Sequence, residues 1–322
     1  MKPFAVFVCE VEANIDRVYG HGRRKQLETL VDLYPVIINS KNFDEHLSVL
    51  AKAEVIFSTW GMIKFSDRQL DAMSALKAVF YAAGVTDAFA RPLLARGITL
   101  VSAWQANAIP VAEFCTAQII LALKGFFRSS REFKSPRQWV RHPDFPGVFE
   151  DSVALIGAGA ISVKTQELLS NYKVKVMVVA SRLERRTISL EEAFSSAYVV
   201  SNHLPNRSDN VGVLNGRLFR MMRPGAVFIN TGRGAQVNEP ELIQVLKERP
   251  DLTALLDVTD PEPPAKDSEL YHLPNVMLSP HIAGSTNNET WRLADYVIEE
   301  FGRWQTGGEL SYRISEEMLV IS

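Results

Sequence analysis

Three short segments in the second half of the 322-residue chain carry side chains able to work on a small anion: Ile229-Asn-Thr-Gly-Arg-Gly234, Leu256-Asp-Val-Thr-Asp-Pro-Glu-Pro263 and Leu278-Ser-Pro-His-Ile-Ala-Gly-Ser285. Arg233 offers a guanidinium, a planar fork that holds a carboxylate or phosphate through paired charge-assisted hydrogen bonds. His281 offers an imidazole, which near neutral pH can both give and take a proton. Glu262 offers a carboxylate that can hydrogen-bond the second ring nitrogen of such a histidine and stabilise its charged form. Each has an ordinary alternative: a surface arginine in a Gly-flanked turn, a solvated glutamate in a Pro-rich loop, a histidine capping a helix after Pro280. Each segment nevertheless follows an apolar run that reads as a strand. Open parallel sheets gather ligands at the C-terminal ends of their strands, so the three groups could converge on one cleft.

A fourth segment is Leu155-Ile-Gly-Ala-Gly-Ala-Ile-Ser162, placed directly after a strand and at the start of a helix. This is the context of a dinucleotide fingerprint, in which Gly157 turns the chain and Gly159 lets backbone N–H groups approach a pyrophosphate at the positive end of the helix. The third position holds Ser162 instead of Gly, a small side chain where helix and strand pack closely. A Gly pair before a helix can also be no more than a turn. An acidic residue that would accept from a ribose 2'-hydroxyl is expected about 20 residues on. Here Ser181 and Arg182 follow the strand, with Arg185 and Arg186 close behind. A hydroxyl and guanidinium groups suit a 2'-phosphate, so NADP(H) is expected to be preferred over NAD(H); the alternative is a solvated basic loop.

The elements that must position these groups form two series. Apolar runs at Phe4–Cys9, Val36–Asn39, Val55–Thr59, Ala78–Ala82 and Thr99–Ser102 alternate with helical patterns such as Arg23–Leu33 and Ser66–Met73, which predicts a small doubly wound domain. A long helical run follows Pro110 and reaches about Phe127. A loop holding Pro136, Pro143, Pro146 and Gly147 then suggests a connection between domains. Six further strands are predicted at Val153–Ile156, Val174–Ala180, Tyr198–Ser201, Ala226–Ile229, Thr253–Val258 and Val276–Ser279, the count of two mononucleotide-binding halves. The stretch Ser285–Phe301 is helical by pattern and could return to the first domain.

Bulk properties narrow the partners. The chain is 47% hydrophobic and 22% charged, with 35 basic against 37 acidic residues and a formal charge of -2. That balance suits a globular protein of two domains and supplies no footprint for nucleic acid or an anionic membrane. The apolar run Phe4–Cys9 is too short for a signal-peptide core, and Val111–Phe127 is interrupted by Glu113, Gln118 and Lys124, so a spanning segment is not expected. Cys9 and Cys115, the only cysteines, read as reduced core residues of a cytoplasmic protein, and no metal-ligand spacing is present.

Taken together, Gly84-Val-Thr-Asp87, Val111-Ala-Glu113, the phosphate loop, His203-Leu-Pro205, Met222–Gly234 and the two later segments resemble, in order and spacing, the D-isomer-specific 2-hydroxyacid dehydrogenase family. The resemblance covers nearly the whole chain. It implies an α/β fold of two doubly wound domains, a Rossmann dinucleotide-binding domain (residues 103–284) inserted into a flavodoxin-like substrate domain (1–102 plus 285–322). It implies hydride transfer between NAD(P) and a small 2-oxo or 2-hydroxy acid, with Arg233 gripping the acid's carboxylate, His281 as proton donor and acceptor, and Glu262 as its partner. By the same likeness Ala160 and Ile161 would touch the pyrophosphate, Pro205 the adenosine side, Thr231, Gly232 and Asp257 the nicotinamide region, and Ala283 and Gly284 the ring's surroundings. Asp257 has a competing role as a structural strand-end carboxylate. Trp60, Gly61, Met62, Gly84 and Val85 would line the acid's pocket, although Trp60 and Met62 could equally be packing residues. A homodimer is implied, chiefly through the helix near Val111–Phe127. The family also has a corepressor branch, so a nucleotide-responsive regulatory protein is the alternative.

Overall fold

A computed structural model of the chain describes residues 2–135 and 145–321; Pro136 and Pro143 of the predicted connection lie outside them. The chain divides into two compact units, Met1–Ala108 with Ser285–Ser322, and Ile109–Gly284.

In the first unit five parallel strands run β1 (Phe4–Phe7), β2 (Asp32–Leu33), β3 (Val55–Ser58), β4 (Ala78–Tyr81) and β5 (Thr99–Ser102), ordered β2-β1-β3-β4-β5. This is the flavodoxin-like order. Because β3 and β4 are buried along their whole length, alternate residues feed two apolar layers. Phe7, Phe57 and Phe80 face one side with Leu293, Val297 and Phe301 of the helix Glu289–Gln305. Val6, Ile56 and Val79 face the other with Leu50, Leu70 and Leu93. Phe57 stacks on Phe80 with centroids 5.5 Å apart, and the Phe301 ring meets both edge-on. Truncating such a ring to Ala costs about 3–5 kcal/mol. The C-terminal helix thus supplies a core face of this unit.

Two boundaries differ from the sequence reading. The second strand is Asp32–Leu33, not Val36–Asn39: Pro35 has no N–H to give the ladder, and the chain rejoins the sheet only at a single bridge between Ile38 and Val8. The preceding helix accordingly ends at Leu30. The second difference is the long helix, which runs Trp104–Leu123 with Pro110 inside it. The fixed φ of proline is helical, and what is lost is the bond its missing N–H would have made to the Ala106 carbonyl. This helix is long and apolar enough to cross a membrane by length and composition, but half of its most apolar window is buried in the protein, with Ile119, Ala122 and Leu123 packed beneath the second sheet.

The second unit has six parallel strands: β6 (Phe149–Ile156), β7 (Lys173–Val179), β8 (Val199–Asn202), β9 (Val227–Asn230), β10 (Thr253–Leu256) and β11 (Val276–Leu278). All six follow the predicted series within a few residues. Their order, β11-β10-β9-β8-β6-β7, is less symmetric than two equal halves. Only β7 lies beyond β6 on one side, because the chain between β7 and β8 forms a short 3-10 turn and the helix Leu190–Ser196 and no strand. The switch point, where successive strands depart in opposite directions, lies between β6 and β8. A crevice at the C-terminal ends of the strands is expected there.

Candidate active site

The register of the second sheet sets one row of residues at its C-terminal edge. Ile156 pairs with Asn202, Asn202 with Asn230, Asn230 with Leu256, and Leu256 with Leu278. The next residues, Gly157, His203, Thr231, Asp257 and Ser279, therefore start five loops on the same edge. With strands about 4.8 Å apart, this edge has the scale of an extended dinucleotide.

At the β6 end, Gly157 has φ +112°, and a Cβ there would meet the His203 carbonyl oxygen at 2.4 Å, so only Gly fits. The helix Ala160–Leu169 begins with Gly159 as its N-cap and no side chain bonding its first N–H groups. Those free donors and the positive helix end suit a pyrophosphate. Ser162 is fully buried, and its hydroxyl donates to the Gly157 carbonyl at 2.6 Å. The off-pattern residue thereby fastens the turn that a third Gly would only have admitted.

At the opposite end, β11 delivers His281 and the loop after β10 delivers Glu262. Glu262 Oε1 lies 2.6 Å from His281 Nδ1, leaving Nε2 for a reacting oxygen. Both side chains are about half exposed. His281 has φ +53°, a left-handed conformation that costs a non-Gly residue on the order of 1 kcal/mol. Asp257 maintains it. The Asp257 carbonyl accepts from the His281 N–H at 3.0 Å; its Oδ1 accepts from Ser279 Oγ (2.6 Å) and the Ile282 N–H (2.9 Å), and Oδ2 from the Ala283 N–H (2.9 Å). Of the two roles considered for Asp257, the structural one is visible here: its buried carboxylate folds the histidine loop. Beyond His281 the chain turns back, so that Ala283 packs against Val111, Cys115 and Ile161, with Gly284 next to it.

Arg233 sits between these ends on the turn after β9, half buried, with its Nη1 donating to the Gly232 carbonyl at 2.7 Å. The following Gly234 presses on the loop that leads to Glu262: a Cβ there would lie 1.9 Å from the Thr259 carbonyl carbon. Close packing of the two loops sets the arginine turn against Thr259 and Asp260, a short step along the chain from Glu262. Thr231 is buried, with its hydroxyl 3.1 Å from the Cys115 thiol, and burial pushes that thiol's pKa up to about 12. His203 is buried as well; its Nε2 lies 3.0 Å from Ser201 Oγ, Nδ1 has no partner among the described residues, and burial lowers its pKa to about 4. The Pro205 carbonyl accepts from Gln236 Nε2 at 2.8 Å. Three residues that the sequence did not single out, Asn202, Asn230 and Gln236, are buried under this turn. The only hint was an amide ending each of two otherwise buried strands.

The loop after β7 is less basic in space than in sequence. Arg186 turns inward and donates to the Ala180 and Ser181 carbonyls at 2.9 and 3.3 Å. Arg182 lies 3.9 Å from Glu184. Nearby, the Arg207 hydrogen bond holds the Asp209 carboxyl below its usual range, with Arg182 adding a smaller pull. Ser181 and Arg182 are therefore in place at the strand end, in a neighbourhood of mixed charge.

In the first unit, Trp60, Gly61 and Met62 follow β3 and Gly84 and Val85 follow the adjacent β4, at ends aligned by the Ser58–Tyr81 pair. The Trp60 carbonyl accepts from Asn14 Nδ2 at 2.8 Å, and the Arg17 guanidinium covers the indole at 4.9 Å. Trp60 and Met62 pack partly into the core, while Val85 is exposed.

Comparison with known proteins bears on this arrangement. The chain is 31% identical over 199 residues to a glyoxylate reductase of Thermofilum pendens, covering 58% of each protein. It is 26% identical over 215 residues to a D-3-phosphoglycerate dehydrogenase of Archaeoglobus fulgidus, covering 64% of this chain but 40% of the relative's length. The match thus spans little more than half of one relative and well under half of the other. A crystal structure of a phosphoglycerate oxidoreductase from Rhizobium etli superposes with a TM-score of 0.82 over 99% of this chain and 100% of that one, at 20% identity, which shows a shared fold. The two sequence relatives are named as a reductase and a dehydrogenase, and neither supports the regulatory alternative. Residues 116–283, just over half of the chain, match the family described as D-isomer specific 2-hydroxyacid dehydrogenase, NAD binding domain, and the chain belongs to that family.

Proposed function

We propose that the protein is an NAD(P)-dependent oxidoreductase interconverting a small 2-oxo acid and its D-2-hydroxy acid. The observation that carries this is the His281–Glu262 pair at 2.6 Å, on the same sheet edge as the Arg233 turn and the uncapped helix after Gly159. The reduced nicotinamide would supply the hydride. Arg233 would grip the carboxylate and orient the 2-oxo group. His281 Nε2 would donate its proton to the oxygen that gains negative charge and take it back in the reverse direction. Glu262, fixed on Nδ1, would set the ring's orientation and favour its protonated form. Gly157, Gly159, Ala160 and Ile161 would hold the pyrophosphate, Pro205 would lie on the adenosine side, and Thr231, Gly232, Ala283 and Gly284 near the nicotinamide. Asp257 would act there through the loop it folds. In the first unit, the Gly84 and Val85 N–H groups and the Trp60-Gly61-Met62 loop are the candidates for binding the acid.

The proposal extends to a preference for NADP(H), supported by Ser181 and Arg182 and by the lack of a carboxylate at the end of β7. Glu184 and Asp209 beside Arg182 argue for a modest preference. A homodimer, expected from the family likeness, would appear in light scattering as twice the chain mass. The deciding assay is turnover of glyoxylate, hydroxypyruvate and related 2-oxo acids with NADH and NADPH. Absence of turnover across the panel with cofactor binding intact would remove the catalytic reading, and a clear NADH preference would remove the NADP(H) one.

A further inference from the structure

Where β8 and β9 end, the ladder stops satisfying backbone groups, and three side-chain amides take over. Asn202, Asn230 and Gln236 are 0%, 1% and 2% exposed. Asn202 Nδ2 donates to Asn230 Oδ1 at 2.9 Å and to Gln236 Oε1 at 2.7 Å. The remaining valences go to the main chain of two loops. Asn230 Oδ1 accepts from the Gly232 N–H (3.1 Å), and its Nδ2 donates to the Arg233 carbonyl (3.3 Å). Gln236 Oε1 accepts from the Arg233 N–H (3.1 Å), and its Nε2 donates to the Leu204 and Pro205 carbonyls (2.9 and 2.8 Å). Asn202 Oδ1 accepts from the Leu204 N–H (3.2 Å). Each amide nitrogen donates and each amide oxygen accepts, so all three amide orientations agree with one another.

We infer that Asn202, Asn230 and Gln236 are positioning residues that hold the Arg233 turn in one conformation and tie it to the loop 203–205 of the neighbouring strand. The inference rests on the reading of Arg233 as the group that grips the acid. Buried amides are costly to desolvate and favourable only when fully paired. Apolar residues in their place would leave the Gly232, Arg233 and Leu204 N–H groups and the Leu204 carbonyl without the partners that these amides supply. The Arg233 main chain is held on both sides, its N–H by Gln236 and its carbonyl by Asn230. The guanidinium therefore starts from a fixed base, which is what placing a carboxylate to within a fraction of an ångström requires. Pro205, proposed for the adenosine side, shares Gln236 with Arg233, but its carbonyl also accepts from the Arg207 N–H and from Asn210 Nδ2 at 2.9 Å each, so the nucleotide loop keeps a hold of its own.

The test uses the full-length protein with Gln236→Met, which keeps the side chain's length and removes its hydrogen bonds, and Gln236→Glu, which keeps an acceptor for the Arg233 N–H. Two readouts are taken. Hydrogen exchange at the Gly232 and Arg233 amides needs no turnover: in Gln236→Met the Arg233 amide should exchange at least about tenfold faster, and Gln236→Glu should restore much of the protection. Steady-state kinetics should show the acid's KM raised roughly 10- to 100-fold in Gln236→Met, with the cofactor's dissociation constant within about threefold of the parent. Unchanged exchange at Arg233 overturns the inference. So does acid KM staying at the parent value, or acid KM and cofactor affinity worsening in step with a lowered melting temperature, which marks a general structural role. If the parent protein reduces no 2-oxo acid, the functional reading fails by itself, and the exchange arm still decides whether the amides hold the turn. Should Gln236→Met not fold, Asn202→Asp decides by the same readouts, since it removes the donor that bridges Asn230 and Gln236.

Discussion

The turn carrying Arg233 and the loop carrying Arg182 both present a guanidinium at the C-terminal edge of one sheet, yet they are held by different means. Around Arg233 the partners of the main chain are buried, neutral side-chain amides: the N–H goes to Gln236, the carbonyl to Asn230, and Gly234 packs on Thr259. Around Arg182 the partners are exposed charges, with Glu184 at 3.9 Å, and exposed ion pairs contribute about 0–1 kcal/mol. Directional buried bonds fix one geometry, whereas solvated charges leave the geometry to whatever binds. The chemistry should therefore tolerate few substitutions, and cofactor choice should be easy to shift.

The largest effect that tests this contrast is on the histidine. His281→Ala should lower kcat by about 10²–10⁴-fold while the cofactor's dissociation constant, measured by nicotinamide fluorescence, stays near the parent value. Loss of cofactor affinity instead would make His281 a structural residue. Asp257→Asn comes next. The amide has an NH2 where one carboxylate oxygen accepted, so at least one of the Ser279, Ile282 and Ala283 donors loses its partner, at about 1–3 kcal/mol. Turnover should fall roughly tenfold or more with the fold retained; an unchanged kcat would mean that the His281 loop needs no such anchor.

Burial on this edge also brings sensitivity to acid. The folded protein keeps His203 neutral down to about pH 4, whereas the unfolded chain takes up a proton near 6.5. Between those values the unfolded state binds more protons, so stability is intact above about 6.5 and declines as the pH falls, on the order of 1 kcal/mol per pH unit. Melting temperatures from pH 7 to 4.5 should fall more steeply for the parent than for His203→Gln, and parallel curves would remove His203 as the cause. The smallest effect belongs to the exposed loop. Arg182→Ala should shift the NADPH-to-NADH ratio of kcat/KM by a few-fold to about tenfold without changing kcat, and no shift would place the 2'-phosphate contact elsewhere.

What was legible in the sequence follows from local physics. Apolar runs of strand length located all six strands of the second unit. The Gly157 and Gly159 spacing marked the turn into the helix Ala160–Leu169, and the three strand-end segments set Arg233, Glu262 and His281 after consecutive strands. The Val36–Asn39 strand and the helix start after Pro110 were misread because each turned on a single proline, whose effect depends on which backbone bond its neighbours can spare.

Hydrophobic periodicity and chain order by themselves determined the six strands of the second unit and four of the five of the first, the parallel architecture and the identity of the residues at the edge of the second sheet, since those depend on near neighbours along the chain. Only the tertiary structure decided that Ser162 fastens the Gly157 turn, that Asp257 folds the histidine loop, that Arg186 turns onto its own backbone, and that three amides hold the Arg233 turn. The reason is physical. A polar side chain states what it can bond but not what it will meet, and those partners, such as Asn202 with Asn230 and Gln236, lie 28 and 34 residues apart and meet only when the strand register brings them together.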